Sequence, residues 1–565
     1  MFLRALISQT RRAANLSGAT RLPKRYYAAG VHKSPYEDIT IPKQTLTQFV
    51  WSMSSKWEDL PAVTCGVSGR SYTYGMAKML KDKFAKGLVD KLPIERGDRV
   101  GFLMPNLPEY LIAIHGCIDA GFVPTSANPL YTTDEIARQF GNADVRCIVT
   151  IPQLLDNAIA VAAKLKNYTY TIIAGGETEL ERKILGLQEV LLAGSDVTLP
   201  QLNPDDIACL PYSSGTTGLP KGVALTHRNL IANVIQCGDP VFSAILPPTC
   251  VEDQERVLSI LPFFHIYGFN AILNFLTLNG VHTITMPKFT PNDYLMCLEK
   301  YKPSTLFTVP SLVLFMATHP SVTAKHLESV RTVVSGAAPI TPNIIQKFRE
   351  KINREDFLFE QGYGMTELSP GALFTPKNAD LSKSGSVGRL VPSTEAKLID
   401  LNDNENITGP HKSGELLIRG PQVMKGYFNN LEATKEIVDS DGWLHTGDVA
   451  YYDEDGYFYI IDRTKELIKV KGHQVSPTEL ESLLIEIPGV YDCAVVGFPD
   501  IVAGELPRAF IVKAPNCTLT VDAIKNHVHP KVAPHKRLEG GIKFIDAIPR
   551  NPAGKIMRHQ LKSMI

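Results

Sequence analysis

Residues 212–223 read Tyr-Ser-Ser-Gly-Thr-Thr-Gly-Leu-Pro-Lys-Gly-Val. Ser213, Ser214, Thr216 and Thr217 supply hydroxyl donors, and Lys221 supplies a positive charge. Gly215 and Gly218 carry no side chain, so backbone N–H groups can approach an anion there. A loop of this make-up suits polyphosphate oxygens. It is not a Walker A loop, in which Gly directly precedes the Lys and Ser or Thr follows it. Here Pro220 precedes Lys221 and Gly222 follows, so the nucleotide chemistry differs from that of ordinary ATPases and GTPases.

Four more segments follow in order. They are Tyr363-Gly364-Met365-Thr366-Glu367, Gly442-Trp443-Leu444-His445-Thr446-Gly447-Asp448, the run from Asp462-Arg463-Thr464-Lys465 to Lys469-Val470-Lys471-Gly472, and Pro549-Arg550-Asn551-Pro552-Ala553-Gly554-Lys555. Together the five segments resemble the adenylate-forming superfamily of acyl-CoA synthetases, 4-coumarate–CoA ligases and beetle luciferases. The resemblance runs from about Arg70 to Arg558, almost the whole chain. It implies an α/β fold with a large N-terminal body of two α/β subdomains plus a β-barrel, and a small mobile α+β C-terminal lid. Expected boundaries are residues 1–27 for a targeting segment, 28–462 for the body and 463–565 for the lid, hinged at Lys465.

The resemblance also implies a reaction in which a carboxylate attacks the α-phosphate of ATP, and the thiol of coenzyme A then displaces AMP. Such an enzyme brings anions together, offsets the charge at phosphorus and keeps water out. In that scheme Ser213, Ser214, Gly215, Thr216, Thr217, Gly218 and Lys221 bind ATP phosphates. Thr366 donates to the α-phosphate, and Glu367 holds Mg²⁺, a hard cation that prefers oxygen ligands. Gly336, Ala337 and Ala338, with Gly362, Tyr363 and Gly364, form the nucleotide's bed. Asp448 accepts from the ribose hydroxyls, with Arg463 as a second ribose or phosphate ligand. Lys555 reaches from the lid to the carboxylate and α-phosphate, whereas Lys469 marks the lid face that serves thiol transfer. His265 contacts the substrate carboxylate, and Tyr267, Gly336 and Gly362 line the acyl pocket. Asn551 departs from the Ser or Thr frequent in the family at its position.

Three other readings share these residues: a luciferase-like oxygenase acting on its own adenylate, a phosphate-releasing NTPase, and a silent acyl- or nucleotide-binding protein. The absent Walker Lys-Ser/Thr pair disfavours the NTPase. Retention of Lys555, Glu367, Asp448 and Lys469 together disfavours the silent protein. The segment from Leu261 to Leu273 is apolar and aromatic, without a carboxylate. An amino-acid substrate would leave its ammonium unpaired there, at a cost of several kcal/mol. A medium-chain fatty or aromatic acid is expected instead.

The elements that must position these residues are legible from periodicity and punctuation. Arg96-Gly97-Asp98-Arg99 precedes the apolar run 100–104, which Pro105-Asn106 ends: turn, buried strand, turn. Residues 111–120 have helical spacing and 145–151 read as a strand, so strands and helices alternate as in parallel sheets. From about Lys383 the pattern changes to short strands at 415–418 and 457–461, until charge interrupts at 462–465. At 565 residues the chain exceeds a single core. Its 58 basic and 58 acidic residues balance, which argues against nucleic acid or an anionic membrane as partner. Nine scattered cysteines without a CxxC pair suggest free thiols, and no apolar run is long enough to span a bilayer.

The N-terminus has its own composition. Arg4, Arg11, Arg12, Arg21, Lys24 and Arg25 precede the first acid, Glu37, and Phe2, Leu3, Leu6 and Ile7 can share a helical face. This is the make-up of a mitochondrial transit peptide, and Arg25-Tyr26-Tyr27-Ala28 resembles a matrix-processing site. The matrix is the expected location, with peroxisome or cytosol as alternatives; the C-terminal Lys562-Ser563-Met564-Ile565 resembles the peroxisomal Ser-Lys-Leu address only distantly. N-terminal sequencing of the protein recovered from mitochondria is expected to begin at Ala28 or within a residue or two. An intact Met1 on protein confined to the cytosol would overturn the address.

Overall fold

In this computed structural model the described residues are 27–28, 30–213, 220–239, 246, 249–354, 356–401, 403–471, 473–515, 517–551 and 554–564. The segment expected to direct import, 1–26, lies outside them.

Two parallel sheets form the bulk of the body. Strands Thr305–Thr308 and Thr332–Ser335 are buried along their whole length, the pattern of strands covered on both faces. They belong to a nine-stranded sheet whose six central strands all run parallel: Leu358–Gly364, Thr332–Ser335, Thr305–Thr308, Arg256–Ser259, His282–Thr285 and Pro61–Cys65. Gly371–Phe374, Arg389–Leu390 and Ser71–Thr73 add antiparallel edges. The second sheet is wholly parallel, in the order Val123–Ser126, Arg99–Leu103, Val145–Thr150, Tyr170–Ile173 and Ile184–Gly186. The strands expected at 100–104 and 145–151 and the helix expected at 111–120 are therefore present, the helix as Pro108–Asp119. Pro108 starts that helix without losing a backbone bond, because the first helical N–H has no intrahelical partner.

Strands between residues 389 and 463 pair antiparallel. Glu395–Ile399, Gly414–Arg419, Leu444–Tyr452 and Phe458–Arg463 make a six-stranded sheet with Tyr27–Ala28 and Val31–Lys33. The last of these strands runs through the charge expected to stop it. Asp462 is buried, yet its carboxylate accepts from the Ser476 hydroxyl at 2.8 Å and the Thr478 N–H at 3.0 Å, so the charge costs the strand little. Beyond Leu467, a five-stranded sheet built on the long hairpin Val490–Asp500 and Gly504–Lys513 packs on helices Pro477–Leu484 and Val521–Val528. It encloses its own apolar cluster around Ile468, Leu480, Val495, Ile511 and Ile524. All nine cysteines are free thiols, as their spacing suggests. Among the described residues no helix is long and apolar enough to cross a membrane.

The helix His227–Cys237 holds the pieces together. A capping box between Thr226 and Asn229 starts it. Three side-chain amides on it then bond to backbone groups of segments far along the chain. Asn229 donates to the carbonyls of Pro421 and Val423, Asn233 both donates to and accepts from the Gly371 backbone, and Gln236 donates to the Pro392 carbonyl. These loops flank the cleft described next.

Candidate active site

In open parallel sheets, ligands bind beyond the carboxyl ends of the strands. A cavity of about 480 Å³ lies there. Its wall is built from strand ends: Ser126 closes one sheet's strand, Val334, Ser335 and Gly336 end another, and Gly362, Tyr363 and Gly364 a third.

The phosphate segment is a hairpin. Tyr212–Ser213 pairs antiparallel with Lys221–Thr226, placing Ser213 opposite Lys221. Ser214, Gly215, Thr216, Thr217 and Gly218, which join the two, lie outside the described residues. The Lys221 ammonium sits 5.2 Å from the centre of the Tyr427 ring. Tyr427 also donates its hydroxyl to Glu367 Oε1 at 2.8 Å. Thr366 and Glu367 stand on a short 3₁₀ turn, both buried, with the Met424 N–H bonded to the Glu367 carbonyl. Tyr427 is thus a hinge between the hairpin and the turn. Sequence reasoning missed it. Its only signal is the pairing of Gly426–Tyr427 with Val223 and Ala224, a contact far along the chain.

Asp448 and Arg463 face each other across adjacent strands. Arg463 Nε lies 3.4 Å from Asp448 Oδ1, and the Tyr363 hydroxyl donates to Oδ2 at 2.6 Å. Burial raises the Asp448 carboxyl, against the pull of Arg463 and Tyr363. Each oxygen keeps a second lone pair for a further donor. Arg463, Tyr363, Thr446 and Gly447 line the cavity, whereas Asp448, buried and bonded to Tyr363, does not.

Lys555 enters the same cavity from the C-terminal sheet's side. Asn551 fixes its backbone from both directions: its Oδ1 accepts from the Lys555 N–H at 2.9 Å, and its N–H donates to the Lys555 carbonyl at 2.8 Å. Of these two bonds, the one to Oδ1 depends on the Asn551 side chain. Burial, then the Arg463 guanidinium, lowers the Lys555 ammonium to about 8, while Asp448, Glu367 and Glu466 oppose the fall. His265 lies close enough to feel Lys555. Burial and that positive charge lower the imidazole to about 4, so it is neutral at physiological pH. Its Nδ1 accepts from the Tyr267 N–H at 3.2 Å, which leaves the proton on Nε2 as a donor.

Tyr267 and Ala271 begin the opposite wall, on the π-helix Tyr267–Asn274. A Cβ at Gly336 would stand 3.4 Å from the Tyr267 ring, so the bare backbone leaves room between them. Ala337 holds φ of +72°, costly for an alanine. Gly364 is glycine for a packing reason: a Cβ there would overlap the Pro370 carbonyl oxygen. Gly362, Ala337 and Lys465 line the cavity too, whereas Ala338 does not. Lys469 is exposed and away from the cavity, its N–H bonded to Glu505 at 3.0 Å.

A family model described as AMP-binding enzyme matches residues 50–428, and one for the AMP-binding enzyme C-terminal domain matches 479–555. The chain belongs to the AMP-binding enzyme family. Probable 4-coumarate–CoA ligase 1 of Dictyostelium discoideum is 37% identical over 550 residues, covering 94% of this chain and 97% of its own. 4-Coumarate–CoA ligase 1 of Petroselinum crispum is 38% identical over 541 residues, covering 95% and 97%. ATP-bound MatB of Rhodopseudomonas palustris shares the fold with a TM-score of 0.82 at 26% identity, over 93% of this chain and 99% of that one. This AMP-binding enzyme thus has the mixed α/β architecture of a large body and a small C-terminal unit.

Two predictions follow from the charges. If the Lys555 ammonium acts in the free enzyme, acid-dependent pyrophosphate exchange with ATP is present below about pH 8. It falls about tenfold per unit above that, as the charge is lost. Lys555→Arg, which stays charged, should flatten that alkaline limb; a wild-type rate indifferent to alkali would refute the assignment. Tyr427→Phe removes one hydrogen bond to a buried carboxylate, a type that contributes about 1.5–3 kcal/mol. We expect kcat/KM for ATP to fall about tenfold in a folded protein, and an unchanged value would show that Tyr427 does not hold Glu367 in place.

Proposed function

We propose that this protein is an AMP-forming acid–thiol ligase that makes an acyl-CoA from a medium-chain fatty or aromatic carboxylic acid. The observation that carries this is the convergence of Lys555, Arg463, His265 and the Thr366–Glu367 turn on one cavity, although they come from four distant segments. The named relatives at 37–38% identity support acid–CoA ligation.

In the first step the substrate carboxylate oxygen attacks the α-phosphorus of ATP, and the bond to pyrophosphate breaks. Lys555 and Arg463 offset the charge that gathers on the phosphoryl oxygens, an effect typically on the order of 10²–10³ in rate. The neutral His265 donates from Nε2 to the incoming carboxylate without neutralising it. Thr366 orients the α-phosphate, Asp448 the ribose, and Ser213 and Lys221 the outer phosphates. In the second step the CoA sulfur attacks the acyl carbon, AMP leaves with the C–O electron pair, and the thiol proton goes to solvent.

Glu367 fits Mg²⁺. It presents a hard oxygen ligand beside the phosphate hairpin, with one carboxylate oxygen held by Tyr427. Among the described residues no cluster of three or more His, Cys, Asp or Glu is present, and Mg²⁺ needs none, since it binds through one or two carboxylates plus substrate phosphates. The ion would supply charge neutralisation on the phosphates.

The acid's class rests on the wall beyond Tyr267. Cys237, Ala271, Val334, Pro370, Gly371 and Phe374 line it, none of them charged. Burial raises the Cys237 thiol to about 12, so it stays neutral as well. None of these six side chains offers an ammonium group a charged partner. The matrix address remains part of this proposal and rests on the basic N-terminal composition.

A CoA-dependent AMP-release screen across acids of graded length and aromaticity tests the reading; release with amino acids alone would overturn the substrate class. Two variants test the roles. Lys555→Ala should slow acyl-adenylate formation by roughly 10²–10³, and leave CoA transfer from supplied acyl-adenylate nearly normal. Lys469→Ala should do the reverse. Equal damage to both steps in either variant would remove the role assigned to that lysine.

A further inference from the structure

The π-helix Tyr267–Asn274 presents two faces. Tyr267 and Ala271 line the cavity, while Asn270 and Asn274 are fully buried. Amides in such a place are costly unless bonded, and these two are links in one continuous chain. Trp51 Nε1 donates to His115 Nδ1 at 2.9 Å, and His115 Nε2 lies 2.8 Å from Asn274 Oδ1. Asn274 Nδ2 donates to Asn270 Oδ1 at 2.8 Å, and Asn270 Nδ2 donates to the carbonyls of Ser369 at 2.6 Å and Leu230 at 3.1 Å.

The direction of this chain is not free. An indole N–H can only donate and a carbonyl can only accept. His115 Nδ1 must therefore accept, its Nε2 must carry the proton, and both amides must point one way. Trp51, His115, Asn274, Asn270 and Ser369 are all buried, so water does not compete for any link. Burial lowers the His115 imidazole to about 4, which keeps it in the neutral form the chain requires.

The chain ends where the phosphate chemistry begins. Ser369 closes the Thr366–Leu368 turn with an N–H bond to the Thr366 carbonyl at 3.2 Å. It does so at φ of +67°, a left-handed conformation that a serine holds only when its surroundings enforce it. We propose that Asn270 is a positioning residue. Its amide clamps the Ser369 carbonyl, and the chain back to Trp51 fixes that amide's orientation. The helix that walls the acyl pocket thereby holds Thr366 and Glu367 in place for ATP. This rests on the ligase reading of Thr366 and Glu367 given above.

Asn270→Leu keeps the volume and removes the donor. Displacement of reacting groups by about an ångström costs up to roughly a hundredfold in rate. We expect pyrophosphate exchange to fall about ten- to a hundredfold, with CoA transfer from supplied acyl-adenylate close to wild type. A residue that only stabilised the fold would reduce both half-reactions together, and that result in folded protein would overturn the proposal. The His115 pair keeps the test independent of how Asn270→Leu folds. His115→Gln can still accept at one end and donate at the other, and should retain exchange. His115→Phe cannot, and should lose it selectively; equal activity in the two would sink the idea. Wild-type protein that exchanges no pyrophosphate with any acid would instead overturn the ligase reading. ATP affinity then reads the clamp directly, and an undiminished affinity in Asn270→Leu would overturn it.

Discussion

Two cations brought to one cavity, Lys555 and Arg463, set the terms for everything around them. They reach it from segments almost a hundred residues apart. Against burial, Asp448 and Glu466 keep Arg463 firmly charged, whereas burial, then Arg463, lowers the Lys555 ammonium. Asp448, Glu367 and Glu466 offset this without abolishing it. Glu466 is itself shared with Arg558, which also pairs with Glu481. A site arranged in this way has unmet demand for negative charge, and the ligands proposed for it, a triphosphate and a carboxylate, would supply that charge. Preorganised charges of this kind contribute most where solvent cannot reorganise around them.

Holding such charges in position with further ionised side chains would disturb their balance. Beside the ion pairs, the structure uses much neutral wiring. Asn229, Asn233 and Gln236 on one helix carry the loops at 371, 392 and 421–423, and Asn270, Asn274 and His115 reach the Thr366–Leu368 turn from another side. Tyr427 and Tyr363 hold Glu367 and Asp448 by hydroxyl donation. Amides and phenols have fixed donor and acceptor geometry and no charge to screen, so they specify position without altering the field. Their cost, if left unbonded in the interior, is what makes each arrangement nearly unique.

This division explains what could be read from the sequence. Glu367, Arg463 and Lys555 stand in short motifs whose resemblance to a family singled them out, and the structure brings all three to one cavity, with Asp448 paired to Arg463. The parallel strand at 100–104 was legible because full burial leaves an unbroken apolar run, and that at 145–151 because its run is broken by a charge only at Arg146. Tyr427 and Asn270 were not, since their meaning lies in partners 60 and 99 residues away. Asn551 reads in the sequence only as a departure from the frequent Ser or Thr, and its bonds to the Lys555 backbone are seen only in the structure. The strand through Arg463 was hidden for a similar reason: Ser476 and Thr478 satisfy the charge of Asp462 from beyond the apparent break. Acid length is set by side chains from separate segments, so no local pattern encodes it.

The two lysines of the C-terminal unit lead to one further constraint. Lys469 sits on a strand whose neighbour Val470 pairs with Gly504, and its N–H is tied to Glu505. Lys555 is tied to the same unit, because Arg550 bonds both to Asp492 at 2.8 Å and to the Gly554 carbonyl at 3.0 Å. Asp492 and Glu505 lie on the two strands of one long hairpin. The lysines are thus fixed to a common scaffold, one directed into the cavity and the other exposed. Local loop motion cannot exchange them without breaking that scaffold. If both take part in the reaction, the unit must turn as a body, with the φ and ψ changes absorbed in the short connection around Lys465, between strands Phe458–Arg463 and Ile468–Val470. Gly554 marks how closely the unit approaches the body: a Cβ there would stand 3.3 Å from Val309 and 3.4 Å from Ser311, and its φ of +81° favours glycine, so a side chain at 554 would crowd the arrangement that directs Lys555 into the cavity.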